Sequence, residues 1–263
     1  MKYIIITILA LLSTYSSAQQ YDSLPAKLLH QEMVYWQAQS DSVKFMALFT
    51  KAVLYKKSNK YNDALNELFR AEKFCAGKKN RDALQYETML NYFLSGKYNT
   101  CSEIAFDSTP PAIYYNNYIL MKLYSLNETE KWSACKELMI QQCTVTDTLL
   151  CNRVKQLPIG YNYKNPEKCR RLSSILPGLG ETYAGYPFKG FTSFILNAGF
   201  LVFTGYNIYT GYYVTGVISG FFPFIKFHAG GKRLSAILAD EHNEKESGIL
   251  KKKYWEDINS IAH

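Results

Sequence analysis

Apolar positions follow helical spacing along most of the chain, and what changes from region to region is how far they ring each helix. Residues 24 to 39, LPAKLLHQEMVYWQAQ, put Leu24, Leu28, Leu29 and Tyr35 on one face, predicting an amphipathic helix. Ser40 to Ser42 offer a cap for the next. From about residue 42 one pattern recurs: a helical apolar stripe, a short polar break, an aromatic, a second helix. It reads AVLYKKSNKYNDALNELFRAEKF, then LNYFLSGKYNTCSEIAFDS, then LMKLYSLNETEKWSACKELMIQQC. Tyr61, Tyr98 and Trp132 hold the same place, 37 and then 34 residues apart, and a period of 34 is that of paired-helix solenoids. Three positions further on, Ala64, Cys101 and Cys135 mark a slot where two helices approach closely and a small side chain fits. TDTLLCNRVKQL (146–157), with Asp147 as its cap, is expected to close the far end.

The pattern then changes. Residues 158 to 171 carry two prolines, a glycine and mixed polarity, and read as a linker. From Phe191 the chain runs uncharged for 35 residues, until Lys226. Two apolar halves, 191–208 and 212–227, flank the tyrosine-rich NIYTGYY. Each is near the short end of what spans a bilayer, and neither shows a polar stripe. They predict a transmembrane or membrane-embedded helical hairpin with Tyr206, Tyr209, Tyr212 and Tyr213 in an interfacial belt. A buried hairpin in a soluble core is the alternative. Gly216 and Gly220 form GxxxG and are expected to pack the hairpin. Asn197, in mid-segment, needs a partner and is expected to bond across it. Pro223 would kink the second helix, and Lys226 would reach for the interface. Ahead of the hairpin, SSILPGLGETYAGYPFKG (173–190) reads as an approach segment at the membrane surface. Pro177 stops a helix, the glycines allow a tight turn, Tyr183 and Tyr186 suit an interface, and Lys189 marks the water boundary.

The whole is expected to be all-α: a helical-hairpin repeat solenoid, then the membrane hairpin. MKYIIITILALLSTYSSAQQ opens the chain with a lysine, a short apolar core and a small-residue cleavage site, which predicts a secretory signal peptide over 1–18. The remaining divisions are a repeat domain at 19–157, a linker at 158–171, a membrane domain at 172–235 and a polar helical tail at 236–263. Export would carry six cysteines into an oxidising compartment. With Cys101 and Cys135 in packing slots, Cys75, Cys143, Cys151 and Cys169 remain for disulfides, and a Cys143–Cys151 bridge would staple a turn; all six staying reduced is the alternative.

Charge and composition add direction. The net charge of +8 fits a nucleic acid or an anionic membrane, and the tyrosine-rich apolar stretch set among basic clusters favours the membrane. No nucleic-acid partner is expected. The four histidines show no metal spacing, no nucleophile motif appears, and DEHNEKE reads as a solvated helical face. GLGETYAG lacks the GK[ST] ending of a phosphate loop and no strand precedes it. No enzyme, cofactor or metal is expected.

Two resemblances sharpen these readings. Tyr55, Tyr61, Ala64, Leu65 and Ala71, then Tyr92, Gly96, Tyr98 and Cys101, then Leu123, Trp132 and Cys135 carry a pattern that resembles the tetratricopeptide repeat family over roughly residues 42 to 145. The early tryptophan of that family is absent, and its closing proline is missing or displaced to Pro110-Pro111. The resemblance implies a concave groove that holds a peptide or another protein. Pro177, Gly178, Gly180, Tyr183, Gly185, Lys189 and Gly190, followed by the apolar halves, are similar to a family of small bacterial membrane domains with the pattern P-G-x-G-Q-x-Y-x-G. Glu181 stands where that family has glutamine, and the family carries no assigned activity. The expectation is therefore an exported scaffold, anchored in the inner membrane of a bacterial envelope, whose periplasmic repeats dock another envelope protein or peptide. In one alternative the membrane domain itself binds or moves a lipid or small solute, with Asn197 and Glu181 as its polar groups. In another the chain is soluble throughout. Arg170, Arg171, Lys189, Lys232 and Arg233 flank the hairpin, whose turn is uncharged, and so argue by charge for both ends inside; signal cleavage argues for both outside, and a third crossing would reconcile them.

Overall fold

A computed structural model describes residues 23–104, 112–142 and 148–262. Among the described residues every regular element is helical. The expected signal peptide, Asp147 and Cys143 lie outside them. The chain divides into two compact units, one up to Thr148 and including the chain end from Ile258, the other Leu149–Asp257.

The first unit opens with α1 (Leu24–Gln37), capped by Ser23, whose hydroxyl accepts from the Ala26 N–H at 3.4 Å. Ser40 caps α2 (Asp41–Lys57) in the same way through Val43, as its position predicts. There follow α3 (Tyr61–Glu72), α4 (Lys78–Leu94), α5 (Tyr98–Glu103), α6 (Ala112–Glu128) and α7 (Trp132–Gln142). The breaks after α2, α4 and α6 are built alike. Asn59, Gly96 and Glu130 each take a left-handed backbone, with φ of 58°, 73° and 60°. The next residue's N–H then reaches back to the same carbonyl of the helix just ended: Lys60 to Tyr55 at 3.0 Å, Lys97 to Tyr92 at 3.0 Å, Lys131 to Leu126 at 2.9 Å. This closing motif satisfies carbonyls that a helix end would leave unpaired. The polar breaks in the sequence are thus one turn used three times, followed each time by the recurring aromatic. Only the middle copy uses glycine; the other two hold Asn and Glu at a cost of roughly 1–2 kcal/mol each.

Behind each turn lies the slot. Ala64, Cys101 and Cys135 are fully buried. The Cys101 thiol reaches the Met89 carbonyl and the Cys135 thiol the Leu123 carbonyl, at 3.7 and 3.6 Å, so each touches the preceding helix at the equivalent place. Burial pushes the Cys135 thiol up to about 12 and raises Cys101 as well, which keeps both protonated and unreactive. Trp132 is buried with its indole N–H on Asn127 Oδ1 at 3.3 Å, whereas Tyr61 and Tyr98 are half-buried. Cys75 and Cys169 are free thiols, so the structure gives neither the disulfide left open for it above.

Phe45, Leu48, Ala52, Leu68 and Leu84 form the core between α2, α3 and α4, with Tyr35 of α1 packed on it. Polar groups lock α1 in place. Lys51 pairs with Glu32 at 2.6 Å and Glu67 at 2.7 Å, and Arg70 pairs with Glu67 at 2.7 Å and Glu32 at 3.2 Å. This closed ring of alternating charge ties three helices. Burial works to raise the Glu32 carboxyl, but hydrogen bonds and charge from Lys51 and Arg70 outweigh it and hold the group below its ordinary 4.5.

The second unit departs from the expected divisions. Its helices are α8 (Thr148–Gln156), α9 (Pro166–Ile175), α10 (Leu179–Tyr183), α11 (Pro187–Tyr209), α12 (Tyr213–Gly216) and, up to Asp257, α13 (Phe222–Ala262), the last two joined without a break through a π-helical turn, Val217–Phe221. The segment read as a linker is not free. Asn243 accepts from the Lys164 N–H at 2.7 Å and donates to its carbonyl at 2.8 Å, and the Tyr254 hydroxyl donates to the Pro158 carbonyl at 3.1 Å. Arg153 pairs with Asp257. The polar tail is likewise no separate element, because it continues the second apolar half as one helix. Pro223 falls just after the π-helical turn, a common place for a helix to absorb a defect. Among the described residues one helix, Pro187–Tyr209, is long and apolar enough to cross a membrane, where two halves were expected. From Tyr213 the apolar run meets Lys226 after roughly 20 Å at 1.5 Å per residue, short of a bilayer core.

The ring of charge makes a prediction. A carboxyl lowered by folding stabilises above its unfolded value, and that gain is lost as pH falls through the folded value. Protection of α1 in hydrogen exchange, corrected for intrinsic rates, should therefore fall below about pH 4.5, and Glu32→Gln should flatten that acid limb. Lys51→Met, which leaves two carboxylates without their shared cation, should cost about 2–4 kcal/mol.

Candidate functional site

SSILPGLGETYAGYPFKG folds into a tight crossing of three helices. Leu176 ends α9 and Pro177 follows it; Gly178 then takes φ +93° to start α10. A Cβ on Gly178 would lie 2.1 Å from the Gly190 carbonyl oxygen, and one on Gly190 would lie 2.3 Å from Thr182 Oγ1 and 2.4 Å from the Gly178 oxygen. A Cβ on Gly180 would strike the Cys169 carbonyl at 2.2 Å and Ser173 Oγ at 2.3 Å. Gly185, at φ +98°, closes α10. Gly178 and Gly185 thus make the turns expected of them, and Gly178, Gly180 and Gly190 also serve close packing of α9, α10 and α11. Tyr183 is covered by Lys164 and Lys168, at 5.1 and 4.9 Å from its ring, and Lys189 lies 4.6 Å from the ring of Tyr186.

This crossing buries Glu181 completely. Its Oε2 accepts from the Ser173 hydroxyl at 2.8 Å, and that hydroxyl accepts from the Gly180 N–H at 3.1 Å. Its Oε1 has no partner among the described residues. Glu181 thus keeps one polar contact and a second oxygen without a donor among the described residues.

α11 carries the rest of the site. Gly190, Asn197, Thr204 and Asn207 are buried, while Phe191, Ile195, Val202 and Tyr206 are exposed. A polar stripe exists after all, and it faces inward. Asn197 donates to the Ser193 carbonyl at 2.7 Å, Thr204 to Phe200 at 2.7 Å and Asn207 to Phe203 at 2.9 Å. Each polar side chain satisfies its donor inside its own helix, so Asn197 does not bond across to the next helix as expected, and its Oδ1 has no partner among the described residues. The following helix packs on this stripe through small residues. A Cβ on Gly216 would meet Asn207 Cβ at 3.2 Å, and one on Gly220 would meet Thr204 Oγ1 at 2.2 Å. The GxxxG pair packs α11 as the sequence predicts.

Further along, Gly231 brings the pieces together. A Cβ there would sit 3.3 Å from Ser193 Oγ and 3.4 Å from Glu181 Oε1. Gly231, Ser193 and Asn197 line a cleft of about 700 Å³. Phe188, Leu196, Phe227 and Leu234 form its apolar walls, and Lys189 and Lys226 also line it. Comparison with family models, curated proteins and solved structures finds no match. The site is therefore read from its own chemistry: two buried acceptors without donors, beside an apolar cleft that carries two cations. Among the described residues no cluster of His, Cys, Asp and Glu is arranged to hold a metal.

Asn197 and Glu181 both stand out in the sequence; Asn197 lines the cleft, and Glu181 Oε1 lies beside Gly231, which lines it as well. Ser173, Ser193 and Gly231 were missed. Ser173 and Ser193 carry no signal of their own, but Gly231 does, since a glycine inside a helical stretch marks close approach. Tyr61, Ala64, Tyr98, Cys101, Trp132 and Cys135 belong to the first unit and have no part here. Cys151 lies on α8, and its expected partner Cys143 lies outside the described residues.

The packing separates two glycines of α11. Gly190→Ala should lower stability by about 1–3 kcal/mol or more, because backbone must move. Gly199→Ala, with open space around the new methyl, should be neutral or slightly stabilising. Loss of monodisperse protein on heating in detergent reads both.

Proposed function

We propose that this chain is an exported, membrane-anchored helical-repeat scaffold of a bacterial envelope, whose tetratricopeptide-like solenoid docks another envelope protein or peptide. The observation that carries the reading is the threefold recurrence of one turn, one aromatic and one small-residue slot. Units so built stack on their neighbours and present a shared groove. The anchor is argued from α11, whose polar residues face inward while its aromatics and branched aliphatics face out, the reverse of a soluble helix. With the following apolar segment it forms the membrane-embedded hairpin. The reading places the scaffold in the inner membrane with its repeats in the periplasm, and assigns no catalysis and no nucleic acid.

A second reading is favoured by the cleft. Unpartnered acceptors at Glu181 and Asn197 are costly in a purely mechanical anchor, and they support a membrane domain that binds a lipid or small solute.

Single cysteines at Asn162, Thr210 and Lys252, in a chain with its own cysteines replaced by alanine, test the arrangement. Ala64 already fills the slot that Cys101 and Cys135 occupy, so the replacement should fold. After carbonate washing of spheroplasts, an impermeant thiol reagent should label positions 162 and 252 and spare 210. Release by carbonate would overturn the anchor. Labelling at 162 and 210 with 252 protected would overturn the hairpin in favour of three crossings.

A further inference from the structure

The cleft in the second unit has a chemistry specific enough to name its occupant. Its walls are apolar and belong to the helices proposed above to face lipid, so a water-loving solute has little to gain there. Lys189 and Lys226 supply two ammonium groups, and neither has an ion-pair partner among the described residues. Two cations beside apolar walls suit a phosphate attached to hydrocarbon. Deeper in, every group asks for the opposite. Among the described residues Asn197 Oδ1 and Glu181 Oε1 are buried acceptors with no donor; Asn197 and Ser193 line the cleft, and the Ser193 hydroxyl and Glu181 Oε1 both lie beside Gly231. Gly231 lines the cleft, and its missing side chain leaves the Glu181 oxygen 3.4 Å from where a Cβ would sit. A positively charged N–H donor satisfies these groups, by charge-assisted hydrogen bonds to the carboxylate and the amide oxygen.

We infer that the cleft holds a phospholipid whose headgroup ends in a primary ammonium, with its phosphate on Lys189 and Lys226, its ammonium turned to Asn197 Oδ1 and Glu181 Oε1 past Gly231, and its hydrocarbon along Phe188, Leu196, Phe227 and Leu234. The inference rests on the membrane-embedded reading of this unit. The cleft and its surroundings bring together two cations, buried acceptors and apolar walls. A choline headgroup carries the charge but no N–H to donate, and a glycerol headgroup carries hydroxyls but no charge. Both fit less well.

The full chain, purified in detergent, is offered short-chain phosphatidylethanolamine, phosphatidylcholine and phosphatidylglycerol, and the retained lipid is counted by native mass spectrometry. Phosphatidylethanolamine should be held about tenfold more tightly than either of the others, the worth of one charge-assisted hydrogen bond. Gly231→Ala places a methyl over the carboxylate at ordinary contact distance from it, so the fold should survive while the preference disappears. Asn197→Leu should abolish the preference as well. Replacing Lys189 and Lys226 together by alanine should weaken all three lipids and leave their order unchanged. Equal retention of the three lipids, or a preference that survives both Gly231→Ala and Asn197→Leu, overturns the proposal. Displacement by free phosphoethanolamine at concentrations matching the lipid removes the lipid as occupant. Carbonate release of the chain would sink the membrane reading separately, since lipid preference is measured in detergent and does not depend on topology.

Discussion

Gly178 and Gly190 meet through their backbones, and nothing larger than a hydrogen fits between them. The second unit depends on that contact. It sets the angle at which α11 leaves the crossing, and it closes α10 over Ser173 so that Glu181 is sealed from solvent. A carboxylate this deep survives only with its hydrogen bonds supplied. Ser173 supplies one side, itself fixed by the Gly180 N–H. The other side faces Gly231, where a second glycine again lets two elements close to touching distance. Small residues, not charges, determine where the charge is held.

The first unit solves a different problem by repetition. Three turns reuse one hydrogen-bonding motif, and each is followed by an aromatic and a buried small residue. Burying a leucine or phenylalanine in the core between them stabilises by about 1.5–3 kcal/mol, but such burial does not choose a register. The turn and the slot do that, because only one alignment puts a small residue against the preceding helix at the equivalent carbonyl each time. The ring of Glu32, Lys51, Glu67 and Arg70 then fixes α1, which lies outside the repeat and has no slot of its own.

Much of this was legible in the sequence, and what was missed has a physical cause. The all-helical character, the breaks before Tyr61, Tyr98 and Trp132, and the Ser40 cap follow from periodicity and local side-chain chemistry. So does the packing role of Gly216 and Gly220. Local signals failed where a residue's role is set by a partner far along the chain. Residues 158–165 look like a linker because nothing nearby shows that Asn243 and Tyr254 bond their backbone. The inward polar stripe on α11 was invisible because a few Asn and Thr are spread thinly among many apolar residues. The turns at Gly178 and Gly185 follow from glycine's conformational freedom, but the close contacts of Gly178, Gly180 and Gly190 do not, because composition reports flexibility and gives no sign of contact. Within the site, Glu181 and Asn197 could be named because charge and amide are conspicuous in an apolar segment, whereas Ser173 and Ser193 look like any serine.

The fully protonated thiols of Cys101 and Cys135 carry a consequence for the life of the chain. In the finished fold they are out of reach of oxidants, held at the helix contact by carbonyls of Met89 and Leu123. An unfolded chain arriving in an oxidising compartment has no such shelter, and its thiols are ordinary and reactive. Folding therefore runs a race against disulfide formation: a copy that closes its slots first keeps its cysteines for good, and one that is late is cross-linked in a form that cannot pack. For a proposed exported protein of this design, speed of folding decides the yield before stability has any say.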